Sequence, residues 1–272
     1  MSTKILGLAT CFNRRQKTLG AIEALRSGNP SLCFDFIITD DHSTDGTPEA
    51  LAQLEGVTVL HGDGSLYYSG GMRKAIAEAK TRSGYDYCLL FNDDVEFYEH
   101  SIEYLVSLNQ NTVWIGPTCD EQGKLVYSGI IRKSGFVPKY THLIADSREG
   151  LPCETLNANC VLIPWHIFID LDNIPEVYRH SFGDYDYGFM ITRKGYSLRV
   201  PDRFVGMCKD DTKKEGSWKD TSLPLKQRIA LKESVKGLPF REYFFYLNRN
   251  FSLPTAVVYS LTPYIRMILR RN

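Results

Sequence analysis

Four short apolar runs, each closed by a polar cluster, set the limits on what this chain can fold into. Residues 4–10 (KILGLAT), 34–39 (FDFIIT), 57–60 and 87–91 (YCLLF) are nearly continuous in hydrophobic residues, the pattern of strands buried on both faces. Stretches with helical spacing lie between them at 18–26, 49–54 and 72–80, the last with Ser69 as its expected N-cap. Strands and helices alternating at this interval predict a doubly wound, mostly parallel sheet covered on both faces. Asn13, Asp41, the 62–65 turn and residues 92–94 each follow one of the four runs. They should therefore meet at the strand-end edge, where open α/β sheets take their ligands.

Beyond residue 99 the alternation weakens. A helix is expected at 101–108, strands at 113–115, 125–132, 159–163 and 197–200, and a second helix at 185–192 closed by Gly195. Residues 133–154 read as a polar excursion over a cleft. With 43% hydrophobic and 24% charged residues the chain is a folded one, and zero net charge gives no argument for nucleic acid. The charge is uneven: residues 221–272 hold nine Lys or Arg against two Glu, a net +7 balanced by −7 before them. The apolar stretch 251–269 is interrupted by Pro254, Pro263 and Arg266, so it either docks on a membrane surface or packs on the protein's own core. Seven scattered cysteines and an N-terminus without a signal-peptide pattern predict a cytoplasmic protein.

Chemistry concentrates in a few places. Asp93 and Asp94 end the fourth run side by side, an arrangement that needs a cation or hydrogen bonds to offset repulsion. A divalent ion on Asp94, Mn2+ or Mg2+, would do this and also bridge phosphates, whereas a simple capping turn explains the pair equally. Asp41 offers acceptors to a pyrimidine base or ribose, with Asn13 and Arg14 beside it. Arg73, after two glycines, is a candidate for a diphosphate. Asp184 and Asp186 point in different directions on a helix, and Asp184 suits a general base, unless it only stabilises a helix N-terminus. Tyr67, Tyr68, Trp165 and Trp218 are weaker candidates for a sugar pocket. The histidines show no metal-binding spacing and are left as structural.

With those residues in place, the chain resembles the family 2 glycosyltransferases, which have the GT-A fold, and among them the bacterial rhamnosyltransferase-like proteins of surface polysaccharide assembly. The motifs are TCFNR at 10–14, TDDHSTDGT at 39–47, GDGSLYYSGGMRKA at 62–75, NDDV at 92–95 and GDYDYG at 183–188. The resemblance implies a nucleotide-sugar site at Thr10, Asn13, Arg14, Asp41, Gly64, Arg73 and Asp93, a metal ligand at Asp94, and Asp184 as the base of an inverting transfer. It implies a UDP- or dTDP-sugar donor and a saccharide acceptor, lipid-linked at the inner face of the cell membrane, with peripheral contact through the C-terminal segment. It divides the chain into a donor half (about 1–98), an acceptor half (about 99–220) and a basic, aromatic extension (221–272).

Two positions depart from the family pattern. Gly183 stands where an acidic residue often precedes the base. Cys208, near Asp210 and Asp211, stands where a histidine often follows the late strand, and a thiolate suits a hard cation poorly. Two other functions fit part of these features: a noncatalytic nucleotide-sugar or saccharide-binding protein, and a sugar-phosphate nucleotidyltransferase. CFNRRQ after the first run lacks the glycines that the second would need.

Overall fold

The computed structural model describes residues 2–134, 136–209 and 216–269. The chain begins with β1 (Thr3–Cys11), α1 (Arg15–Ser27), β2 (Leu32–Asp40), α2 (Thr47–Ala52), β3 (Val57–His61), α3 (Tyr67–Ala79) and β4 (Tyr87–Phe91). There follow β5 (Glu96–Phe97), α4 (Ser101–Val106), β6 (Thr112–Ile115), β7 (Thr118–Cys119), β8 (Leu125–Tyr127), β9 (Gly129–Arg132), β10 (Tyr140–His142), β11 (Leu151–Pro152) and β12 (Thr155–Leu156). The chain then re-enters the core through β13 (Cys160–Pro164), α5 (Trp165–Asp170), α6 (Gly183–Arg193), β14 (Ser197–Val200) and β15 (Gly206–Met207). It ends in α7 (Leu225–Glu233), α8 (Phe240–Asn250) and α9 (Leu253–Ile268).

The main sheet has the order β11-β14-β6-β13-β4-β1-β2-β3. β1 to β4 are mutually parallel, β13 runs against both β4 and β6, and β14 is parallel to β6. Because β13 is reversed, its N-terminal end shares an edge with the C-terminal ends of β1 to β4. Two small sheets, β10-β9-β12 and β5-β15-β7-β8, accompany the main one. The expected single strand at 125–132 is broken at Ser128, and the 133–154 excursion contributes β10, paired to β9, and β11, paired to β14.

Side-chain alternation along the strands divides the core between two faces. Ile5 and Phe36 belong to the layer with Ile22 and Leu25 of α1, while Leu6 and Leu8 join Met72 and Ile76 of α3 on the other face. Tyr246, Leu247 and Ala256 lie in that second layer, so α8 and the first turn of α9 pack on the protein's own core.

The glycine pair before Arg73 has a packing reason. A Cβ on Gly71 would overlap Thr10 Oγ1 and Cβ, so α3 lies directly on β1 only because position 71 has no side chain. Ser69 is not the cap of this helix. It lies within α3 and its hydroxyl donates to the His180 carbonyl at 2.9 Å. The cap is Asp41, which accepts from the N–H groups of Gly64 (2.9 Å), Leu66 (3.3 Å) and Tyr67 (2.9 Å). A cap supplied from the end of another strand leaves no local sequence signal. Gly71→Ala should lower unfolding stability by about 1–3 kcal/mol in urea titration, since neither element can retreat without opening the core.

Candidate functional site

A cleft of about 830 Å³ opens at the C-terminal edge of β1 to β4. Thr10, Arg14, Asp41, Gly64, Tyr67, Tyr68, Asp93, Asp94, Asp184 and Cys208 line it together. Ten of the positions singled out from sequence therefore converge, although they come from residues 10 to 208 of the chain.

The adjacent carboxylates are offset by arginine. Arg14 Nη1 lies 3.1 Å from Asp93 Oδ1 and 2.9 Å from Asp94 Oδ2, and Thr18 donates to Asp93 Oδ2 at 3.0 Å. Both oxygens of the buried Asp93 are thus engaged, and burial still pushes its carboxyl above the ordinary range against the pull of Arg14. Asp94 is the more open of the two, 22% exposed at its side chain. A single hard carboxylate facing a cleft fits a divalent cation that takes its other ligands from phosphate and water. Cys208 does not extend that set. Its sulfur is buried, 3.3 Å from Thr118 Oγ1, and accepts from Asn159 Nδ2 at 3.5 Å. Among the described residues no group of three His, Cys, Asp or Glu could hold a metal. Asp210 and Asp211 lie outside the described residues.

On the opposite wall, α6 begins at Gly183 and presents Asp184 to the cleft. Burial pushes the Asp184 carboxyl up to about 6, against the backbone N–H groups of Tyr185 and Ala158 and the Asn157 amide. Tyr68 also lines the cleft, and the burial of its phenol, together with the charges of Asp184 and Asp94, raises its pKa well above the ordinary tyrosine value. Gly183 is fixed by packing. A Cβ there would come 2.5 Å from Ser69 Oγ, so no acidic side chain fits at this position without moving α3.

Five candidates lie elsewhere. Asp186, two residues on from Asp184, faces α8. It is 1% exposed and bonds Arg249 Nε (3.0 Å to Oδ2), Arg193 Nη2 (3.4 Å) and Asn250 Nδ2 (2.9 Å). Arg73 is not at the diphosphate edge: Nε donates to the Ile174 carbonyl and Nη2 to those of Pro175 and Tyr178, because helical geometry turns position 73 toward that loop. Asn13 joins two turns, its N–H donating to Ser43 Oγ and its Oδ1 accepting from Thr44 N, both at 2.8 Å. Trp218 lies beside Lys219 and α7, its carbonyl accepting from Arg228, and Trp165 packs on Tyr85 and Phe168. Neither ring lines the cleft.

Sequence reasoning missed Phe12, Tyr127, Tyr140, Asn157, Asn159, His180, Lys209 and Lys236, all of which line the cleft. Asn157 and Asn159 had a signal: they precede a strand that runs backwards, so for β13 the ligand edge lies before the strand. His180 stands 6.3 Å from the Tyr67 ring, and burial with nearby Lys236 lowers its pKa. Lys236 comes from the loop between α7 and α8 and has no local signal. α8 also braces the wall that carries Asp184, since Phe182 stacks on Tyr246 at 4.7 Å and on Tyr243 at 5.4 Å. Phe182 and Tyr67 both hold positive φ, 67° and 53°. Such backbone costs about 1–3 kcal/mol each and concentrates at functional sites.

Residues 8–116 match the family model described as Glycosyl transferase family 2. No curated protein matches the chain. Among solved structures, a mannosyltransferase of Pyrobaculum calidifontis in complex with GDP-Man and Mn2+ is 14% identical with a TM-score of 0.51, covering 98% of this chain and 78% of its own. S. aureus TarS 1–349 is 13% identical with a TM-score of 0.54, covering 98% of this chain and 81% of its own. At these identities the likeness establishes the fold. The family match covers residues 8–116, a region similar to the family 2 glycosyltransferases, and together with the GT-A-type fold it classes the chain as a glycosyltransferase.

The raised carboxyl of Asp184 has a stability consequence whose sign can be checked. Its folded pKa of about 6 lies above the ordinary 3.8, so the native state holds the proton more tightly and loses stability as pH climbs between those values. Asp184→Asn removes this penalty. It should unfold about 1–2 kcal/mol harder than wild type at pH 7.5, the shift being discounted for the partial exposure of the group, and the difference should vanish below pH 4 in paired urea titrations.

Proposed function

We propose that this glycosyltransferase moves a sugar from a UDP- or dTDP-linked donor to a hydroxyl of a saccharide acceptor, with inversion at the anomeric carbon. The observation that carries the reading is that Asp94 and Asp184, on opposite walls, face one cleft. Residues 1–98 would hold the nucleotide and residues 99–220 the acceptor, a saccharide of surface polysaccharide assembly carried on a lipid.

Asp184 takes the proton of the acceptor hydroxyl as its oxygen attacks the anomeric carbon. The bond from that carbon to the diphosphate breaks on the far side, and the electron pair leaves with the nucleoside diphosphate. A carboxyl held near 6 is ionised at neutral pH yet more basic than an ordinary aspartate, which suits proton removal. Arg14, Lys209 and Lys236 supply positive charge to the cleft for the leaving diphosphate. Asp94 would hold a divalent cation, which when bound neutralises charge on that diphosphate. Asp93, tied to Arg14 and Thr18, positions the Arg14 head rather than meeting the ion. His180, held neutral, can donate or accept a hydrogen bond without repelling a cationic partner.

Steady-state kinetics with a donor and acceptor that turn over test the assignment. Asp184→Asn should leave the donor Kd within about twofold and lower kcat by about 100- to 1,000-fold. Wild-type kcat should rise about tenfold per pH unit below 6 and level off above it. Asp94→Ala should instead weaken Mn2+-dependent donor binding by about tenfold or more. Full transfer by Asp184→Asn would reject the base assignment.

A further inference from the structure

We propose that α9 and the neighbouring tip at Phe136 form a docking surface for an anionic lipid bilayer. α9 buries Thr255, Ala256, Ser260, Pro263 and Met267 against the protein. Its other side presents Leu253, Val257, Val258, Leu261, Ile265 and Ile268, each between 45% and 64% exposed. At helical pitch these positions span an arc of roughly 140° that contains no charged residue. An aliphatic face of this extent is uncommon on a soluble monomer and marks an interaction site.

The surroundings say what covers it. Phe136 is 76% exposed and sits at the start of the helix, where its carbonyl accepts from Thr255 Oγ1 at 3.3 Å. The exposed Lys133 and Lys139 flank that tip, joined by a backbone bond of 2.8 Å. Residues 221–272 carry nine basic and two acidic residues. Lys232 and Arg249 are taken up by Glu233 and Asp186, and Glu242 by Arg179, which leaves the other seven basic residues of the segment as its surplus. An apolar helical face bordered by uncompensated positive charge matches the boundary layer of an anionic membrane. The same charge opposes pairing with a second copy of the chain. No helix among the described residues is long and apolar enough to cross a membrane, so α9 would lie in the surface. The tip leads straight into Tyr140, which lines the cleft. Docking would thus bring the cleft rim to the lipid. That this serves a lipid-carried acceptor rests on the transferase reading, whereas the docking itself does not.

Cosedimentation of the full chain with vesicles tests the surface, without donor or acceptor present. Retention is expected on phosphatidylcholine vesicles containing phosphatidylglycerol, not on phosphatidylcholine alone, and should fall with added salt. Leu261→Glu/Ile265→Glu should reduce the bound fraction about tenfold, and Lys133→Glu/Lys139→Glu about threefold, with unchanged melting temperatures because all four side chains are exposed. Three results would overturn the proposal: no retention on either vesicle, undiminished retention of Leu261→Glu/Ile265→Glu, or a wild-type dimer in solution that this double variant converts to monomer. None of them bears on sugar transfer.

Discussion

The cleft depends on two adjacent carboxylates, one buried and one half-buried, held by one guanidinium. Asp93 and Asp94 leave the end of β4 together, and without Arg14 their repulsion in a half-dry site would drive one of them to take up a proton or turn away. Arg14 comes from the turn after β1, the neighbouring strand, so the pair is satisfied only when β1 and β4 are in register. The contact therefore joins sheet formation to the building of the site. Thr18, one turn into α1, completes the hydrogen bonding of Asp93 and fixes that helix against the same point.

A second clamp holds the opposite wall. α6 carries Asp184 into the cleft and Asp186 away from it, and the second carboxylate is locked by Arg193, Arg249 and Asn250. Phe182, just before α6, is stacked on Tyr246 and Tyr243. Three of these partners belong to α8, and a fourth, Asn250, ends it. The C-terminal segment thus braces the turn that delivers Asp184, and its loop adds Lys236 to the cleft. Burial at the end of this braced turn keeps the Asp184 carboxyl above the usual range, a cost in stability that is common where chemistry is done.

Much of the sheet was legible because parallel strands buried on both faces must be apolar throughout. Runs such as FDFIIT and YCLLF admit few other structures, and the polar residues after them fall at the ligand edge. The site was legible mostly where a residue follows a parallel strand, and at Asp184 through its acidic motif at the start of a helix. Asn157 and Asn159 precede the reversed strand β13, and Lys236 and His180 reach the cleft through tertiary packing, which no local pattern encodes. Arg73 and Asp186 turn away from the cleft for one reason: helix phase decides which way a charged residue points, and the partners they find, the carbonyls of 174–178 and Arg249 of α8, lie far along the chain. Gly183 and Gly71 are small because another element lies against them, and composition alone does not reveal this.

The proposed function stands or falls on whether the cleft at the ends of β1 to β4 binds a nucleoside diphosphate sugar. Thermal stabilisation of the purified protein by UDP, dTDP, GDP and their sugars, each with and without Mn2+, tests it most directly. The account predicts a shift that needs Mn2+, favours UDP or dTDP species, and is lost in Asp94→Ala. The absence of a shift with every nucleotide, or a shift that Asp94→Ala leaves intact, would contradict it.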